Sequence, residues 1–307
     1  MHYLRAFRSA APRILIAAAA CGVLSLAGGA ARLDAQVPAT SRLDSLRRLY
    51  RIRPAPVRQI VVATFLGAPG SSLGSPAASG AGSHDYFFGT GFQERTRYTS
   101  RPDAGFGAGT GFGDPEAGVA LEVAVSSFSS VRHGFLTIGG ASFKLHHRDP
   151  QHMMLYAAGI ENAVTWGHVD GGTSIYGLLG RVFVLRPGDN APLGVLSTSL
   201  GIGNGRFRSE RDVLSHRSGV GVFGGMGLRL IPAVAVAADW TGQDLDAGFT
   251  ITPFPGRGIV GSIGVADITR HAGNGPRLIM SLGFGFNARR DNRQLSPEDL
   301  NAVFRTP

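Results

Sequence analysis

The chain of 307 residues is poor in cysteine, lysine and charge, and it lacks long apolar runs outside its start. Its one cysteine is Cys21, so no disulfide can staple the chain beyond that point. After the first thirty positions no uninterrupted apolar stretch reaches the length of about 20 residues that a membrane helix needs, which excludes a helical membrane protein. Lys144 is the single lysine; the remaining cations are dispersed arginines rather than a basic cluster, which argues against nucleic acid as a partner. Charged residues make up 17% of the chain, yet 43% of it is apolar, too much for a disordered polymer.

What is abundant is glycine, 45 residues scattered with no Gly-X-Y period, so collagen is excluded. The N-terminus has a three-part layout. Arg5, Arg8 and Arg13 form a basic start, an apolar run extends from Ile14 to Ala30, and small residues lead to Leu33-Asp34-Ala35-Gln36. This is the layout of a secretory signal peptide, with cleavage expected after Ala35 and Ala30 as the second choice. The segment carries four arginines against Asp34, so it removes +3 of the formal net charge of +9. Lipoprotein processing at Cys21 is the third option, but no Leu stands three residues before it.

Residues 36–82 read as a polar, basic leader and a linker. Leu43, Leu46, Leu49 and Tyr50 have the spacing of a short amphipathic helix, ended by Pro54 and Pro56. Residues 67–82 are a Gly/Ser/Pro/Ala linker without periodicity.

From about residue 84 the pattern changes to period two. Val119, Leu121, Val123 and Val125 alternate with Ala120, Glu122, Ala124 and Ser126, and Leu278, Met280, Leu282, Phe284 and Phe286 alternate with Ile279, Ser281, Gly283 and Gly285. Successive strand residues point to opposite faces, so each segment has an apolar face and a small or polar one. Twelve such segments occur, near 84–98, 103–112, 117–128, 134–147, 152–166, 173–185, 192–204, 218–230, 233–241, 244–253, 259–267 and 277–287. Turn signals separate them, among them Gly-Asp-Pro at 113–115, Arg-Asp-Pro at 148–150 and Asn-Gly at 274–275. No helical pattern of 10–15 residues intervenes, so a βαβ sheet is not expected.

A soluble sandwich should carry Lys, Glu, Arg and Thr on its outer face, whereas here the charges fall almost wholly in turns. The alternation therefore predicts an all-β fold, an antiparallel up-and-down transmembrane barrel of about 12 strands over residues 83–287, with apolar residues toward lipid. Residues 288–307 form a polar tail. Tyr156, Trp166, Tyr176, Trp240, Phe249 and Phe286 are candidates for the interfacial girdles. The small-residue parity carries Glu122, Lys144, His146, Glu161, Arg181, Arg229, Asp239 and Asp246, the candidate lumen charges. Charges of both signs there can pair and fill a narrow interior. Asn162 and Asp267 break the parity, which calls for a bulge or a strand end at each.

Motifs for chemistry are weak. The glycine runs 107–113 and 201–206 are followed by no helix and lack the Lys-Ser/Thr of a phosphate loop. His146, His147 and His152 straddle a turn rather than converge as metal ligands do. A barrel lipid hydrolase needs a Ser-His pair oriented by a third polar residue; Ser142 and His146 share a strand face, but any Ser-rich barrel offers such pairs.

An ordered set of motifs carries a resemblance. It includes Gly111-Phe112-Gly113-Asp114-Pro115 and Gly118-Val119-Ala120-Leu121-Glu122-Val123, then Ser142-Phe143-Lys144-Leu145-His146 and Glu161-Asn162-Ala163. Gly201-Ile202-Gly203-Asn204-Gly205-Arg206-Phe207, Ala238-Asp239-Trp240-Thr241-Gly242-Gln243-Asp244-Leu245 and Gly264-Val265-Ala266-Asp267-Ile268-Thr269 follow. Over roughly residues 76–287 the chain resembles a family of uncharacterised outer-membrane β-barrel proteins of cyanobacteria and other diderm bacteria. More distantly it resembles barrel proteins associated with exopolysaccharide export. The resemblance implies location and architecture and transfers no catalytic residue.

The expectation is thus a non-enzymatic outer-membrane barrel without cofactor, with a role in structure or in passage of a small solute or polysaccharide. Its partners would be outer-membrane lipid and, during biogenesis, the barrel-assembly machinery. The alternatives are a secreted or periplasmic barrel with its apolar faces turned inward around an apolar ligand, and an outer-membrane lipid-modifying enzyme.

Overall fold

Each period-two segment forms a strand. A computed structural model describes residues 72–288, apart from 98–99, 129–133, 135, 168–171, 187–190, 255–257 and 272–274. The expected signal peptide, the amphipathic segment at 43–50 and the tail from 289 lie outside the described residues. Twelve strands follow one another: β1 (Asp85–Gln93), β2 (Asp103–Phe112), β3 (Ala120–Phe128), β4 (Ile138–Asp149), β5 (Met154–Trp166) and β6 (Ser174–Val184). The second half comprises β7 (Val195–Gly203), β8 (Gly221–Ile231), β9 (Val234–Trp240), β10 (Leu245–Ile251), β11 (Ile259–Ala266) and β12 (Arg277–Asn287). Every strand pairs antiparallel with its sequence neighbours, and β12 pairs with β1 from Asp85–Asn287 to Gln93–Ile279, which closes the barrel. Among the described residues no helix is long and apolar enough to cross a membrane. One short helix, α1 (Glu210–Leu214), lies in the β7–β8 connection.

Register decides which residues face the lumen. Glu122 is paired with Lys144, Lys144 with Gly159, Gly159 with Tyr176, Tyr176 with Gly203 and Gly203 with Gly221, so these all share the inner face. The outer face carries Val125, Leu145, Ile160, Leu179, Leu200, Val222, Phe249, Ile263 and Leu282, all exposed. The apolar faces therefore point outward, not inward as a barrel around an apolar ligand would need. Apart from tyrosines, the ionisable side chains among the described outward strand residues are His147, Asp149 and Arg181, all near the end where the barrel's termini lie.

Two parity breaks occur where the sequence requires them. Phe143 faces Ile160 and Ala141 faces Val164, so β5 bulges there, and Asn162 takes a φ of 53° within the bulge. Asp267, at φ 55°, follows directly on the end of β11.

Two expectations are corrected. Arg181 is exposed on the outer face, paired in register with Met154 and Thr198, and its guanidinium lies 5.0 Å from the Phe183 ring centroid. Tyr176, expected in a girdle, is buried inside the barrel. One cause accounts for both. In β6 the inner residues Tyr176, Leu178 and Val182 are as apolar as the outer Ile175, Leu179 and Phe183, so the small-residue rule misassigns the faces. Arg181 stands within four residues of the strand end, where a long side chain can carry its charge to the aqueous rim.

Candidate functional site

The lumen is occupied by the chain's own linker. Residues 72–82, with no periodicity to betray a fold, thread between Asp239 and Glu122 as a strap. The strap turns at its start, where the amides of Leu73, Gly74 and Ser75 all donate to the Asp239 carboxylate, at 2.8, 3.2 and 2.8 Å. Three successive backbone N–H groups around one carboxylate form an anion nest. Arg206 donates to the Gly74 carbonyl at 3.1 Å. Farther along, Lys144 Nζ donates to Ser79 O at 2.8 Å, the Ala81 amide donates to Glu122 Oε2 at 2.7 Å, and His146 Nε2 donates to Ala81 O at 3.0 Å. Lys144 also pairs with Glu122 at 2.9 Å. Small residues make this possible. A Cβ on Gly80 would lie 2.7 Å from Lys144 Cε and 2.8 Å from both Glu122 and His146.

Of the eight expected lumen charges, the structure brings six against the strap or its immediate supports. Glu122, Lys144, His146 and Asp239 bind it directly. Glu161 holds Arg206 through two bonds, at 2.5 and 2.9 Å. Asp246 lies beside Asp239 in register and accepts the Asp267 amide at 3.1 Å. Arg229 is buried in the lumen toward the end that holds the termini, apart from this group, and Arg181 is outside. Arg206 lies beyond the strands. Burial alone would depress its guanidinium pKa, but the bond to Glu161 more than offsets this and raises it, so the guanidinium stays charged.

Three contributors escaped sequence reasoning: the strap, Arg206 and Phe207. Phe207, on a single 3-10 turn at Gly205–Phe207, dips from the β7–β8 connection into the barrel and is fully buried. Its ring stacks on Phe223 with centroids 4.2 Å apart, and Tyr176 meets both rings edge-on. Ala78 of the strap joins this cluster with Ala157 and Leu178. The segment 238–245 holds the plugging connection in place. Gln243 donates to Arg206 O at 2.9 Å, and Gly242, at φ 101°, lets the chain pass against the Phe207 backbone where a side chain would clash. Asp244 in the same turn bridges Arg97, at 2.5 Å, and Arg277. Thus two motifs noted in the sequence, 201–207 and 238–245, meet at one mouth of the barrel.

The opposite sector, β12–β1–β2, is sparsely filled: Phe87 turns inward over Gly109, and much of the remaining inner face is glycine. A cavity of about 630 Å³ lies against it, lined inside by Gly89, Gly91, Gly105, Gly107, Ser281 and Gly283 and bounded by the strap at Ser79–Ala81. A second space of about 520 Å³ continues toward Arg97, Asp244 and Arg277, sharing Gly91, Gly105, Phe128 and Ser281 with the first. A third, about 430 Å³, lies on the strap's other flank beside Pro76, Glu161 and Arg206. Several wall glycines have room for a side chain. A Cβ would come no closer than 4.0 Å to surrounding atoms at Gly91, 3.9 Å at Gly283, 3.6 Å at Gly285 and 3.4 Å at Gly107. On the outside the same wall is aromatic. Tyr86 stacks on Phe286 and Phe88 lies against Phe284, each pair with centroids 5.4 Å apart, and these cross-strand pairs support a seam whose inner face is thinly packed.

No catalytic constellation forms from the weak candidates. The Ser142 hydroxyl accepts the Asn162 amide, while the His146 ring is bound to the strap. His147 points outward, away from His146, and among the described residues no group of three His, Cys, Asp or Glu side chains could hold a metal. Compared with protein-family models and with curated proteins, the chain matches none.

Proposed function

We propose that the chain is an integral outer-membrane barrel that lets small solutes pass along the glycine-walled side of its lumen. The outward band of exposed Val, Leu, Ile, Phe and Met supports a lipid-facing surface, since water would leave that band without a partner. The signal peptide expected at residues 1–35, and the family resemblance read from the motifs, support delivery to the outer membrane of a diderm bacterium. The antiparallel ladder closes on itself and so leaves no unpaired strand edge, the condition for a sheet in hydrocarbon.

The observation that carries the passage is the unfilled glycine wall. Glycine inside a strand costs roughly 0.5–1 kcal/mol relative to alanine. At Gly91, Gly107, Gly283 and Gly285 neighbouring atoms do not demand it, so packing gives no reason for bare positions there. Clear space beside the strap does. The lining mixes backbone, serine hydroxyls, the inward Phe87 and Phe128, and charges of which most are held in pairs, which suits small solutes better than one class of ion.

The test is conductance of the refolded full chain in a planar bilayer, with Gly91→Phe as the blocked form. The reading expects discrete conductance that falls at least fivefold in the variant, whose heat-shifted gel mobility remains normal. A barrel that folds and does not conduct, or a variant that conducts equally, would contradict it.

A further inference from the structure

The strap has a second consequence, which rests on the passage reading above. We propose that residues 72–82 act as a size filter that divides the lumen. They confine a solute to the glycine-walled side, so slender unbranched polar molecules cross and bulkier ones are refused.

Position comes first. The strap is pinned near one mouth by Asp239, the penultimate residue of β9, and near the other by Glu122 and His146, so it runs along the lumen rather than across one end. Open space adjoins it on both flanks. Glu122 and Phe128 line the spaces on either side of it, and Arg206 lines both the mouth cavity and the far flank. Without the strap these volumes would merge into one wider lumen.

The way it is held points to a divider rather than to part of the wall. Most of the anchors are wall side chains that grip main-chain atoms of the strap, whereas the barrel closes through its own twelve-strand ladder. The strap meets that ladder's main chain at two places, where Ser75 Oγ donates to Trp240 O at 3.2 Å and, at its exit, by an isolated bridge from Ser83 to Gly111. Ala78 is the strap residue in the buried apolar cluster, so little apolar area depends on the strap remaining in place. The barrel should therefore survive its displacement.

The experiment is swelling of liposomes that contain the full chain, in neutral sugars of rising size: a pentose, a disaccharide and a tetrasaccharide. Two variants dislodge the strap from opposite sides. Asp239→Asn with Glu122→Gln weakens the wall's grip, and Gly80→Leu places a side chain where Lys144, Glu122 and His146 stand, leaving the wall intact. A third variant, Ala78→Cys with Gly180→Cys, locks the strap by a disulfide, since the two Cβ positions are 2.9 Å apart before any relaxation. Heat-shifted gel mobility confirms folding of each.

The filter predicts that the natural chain and the oxidised lock admit the pentose and exclude the tetrasaccharide. At least one dislodged variant then admits the tetrasaccharide, with its swelling rate raised tenfold or more. An unchanged size limit in both dislodged variants, with pentose uptake preserved, would overturn the filter and leave the passage standing. Absence of pentose uptake in every folded variant would overturn the passage reading and the filter together.

Discussion

Two sectors of the same wall use glycine in opposite ways. From β5 to β8 the inner glycines Gly159, Gly201 and Gly203 are seats for rings. A Cβ on Gly159 would lie 2.6 Å from the Tyr176 ring, and one on Gly201 would collide with Phe223. In β12, β1 and β2 the inner glycines Gly91, Gly107, Gly283 and Gly285 have room for a side chain, although Gly109 seats Phe87 and Gly111 lies against the strap, and aromatic pairs face each other on the outside. A glycine count cannot separate these roles, because one sector is bare in order to be filled and the other is bare and stays clear. The difference puts the clear space on one side of the strap and the packed side on the other.

Substitutions at matched glycines should break the comparison most sharply. Gly201→Leu drives a side chain into the Phe223 ring, and overpacking of this kind should cost about 3 kcal/mol or prevent refolding. Gly283→Leu should stay within about 1 kcal/mol, because its side chain enters the cavity. Urea midpoints from the heat-shifted band measure both, and equal losses would erase the distinction between sectors.

The strap's anchor gives the next effect. Lys144→Met leaves Glu122 facing the lumen with only the Ala81 amide, which should cost about 2 kcal/mol, discounted for partial exposure of the pair. Adding Glu122→Gln should recover part of that loss. A double-mutant cycle on urea midpoints reads the coupling, and strict additivity would show that the pair does not act as a unit.

The smallest effects sharpen the contrast from the permissive side. Gly283→Ala should stabilise the barrel by about 0.5 kcal/mol, since it restores strand propensity without contact. Arg181→Ala, at the exposed rim, should change stability by less than about 0.5 kcal/mol. Thermal midpoints in one detergent suffice for both, and a loss above about 1 kcal/mol at Arg181 would contradict its placement on the outer surface.

Much of the barrel was legible because period two is a direct imprint of strand geometry. The twelve expected segments correspond to the twelve strands, and even the breaks at Asn162 and Asp267 marked a bulge and a strand end. Legibility failed where polarity stopped reporting on face. In β6 both faces are apolar because Phe207 and Phe223 fill the lumen beside Tyr176, so Tyr176 and Arg181 were assigned to the wrong sides. The strap left no periodic trace, because its backbone is held by side chains from distant strands, with sequence separations above one hundred and sixty at Asp239. The motif 238–245 was visible as a motif, but its task needed the fold: it places Asp239 on the strap, Gly242 under Phe207 and Asp244 between two arginines.

The central claim is that the clear side of the lumen is the route. The most direct measurement is thiol accessibility during conduction, in a chain carrying Cys21→Ser and one new cysteine at Gly283, Gly107 or Gly180. A small cationic methanethiosulfonate reagent should cut the current through the Gly283→Cys and Gly107→Cys proteins by more than half. It should leave the Gly180→Cys protein unchanged, because Ala78 covers that position. Block at Gly180→Cys with none at Gly283→Cys would contradict the account.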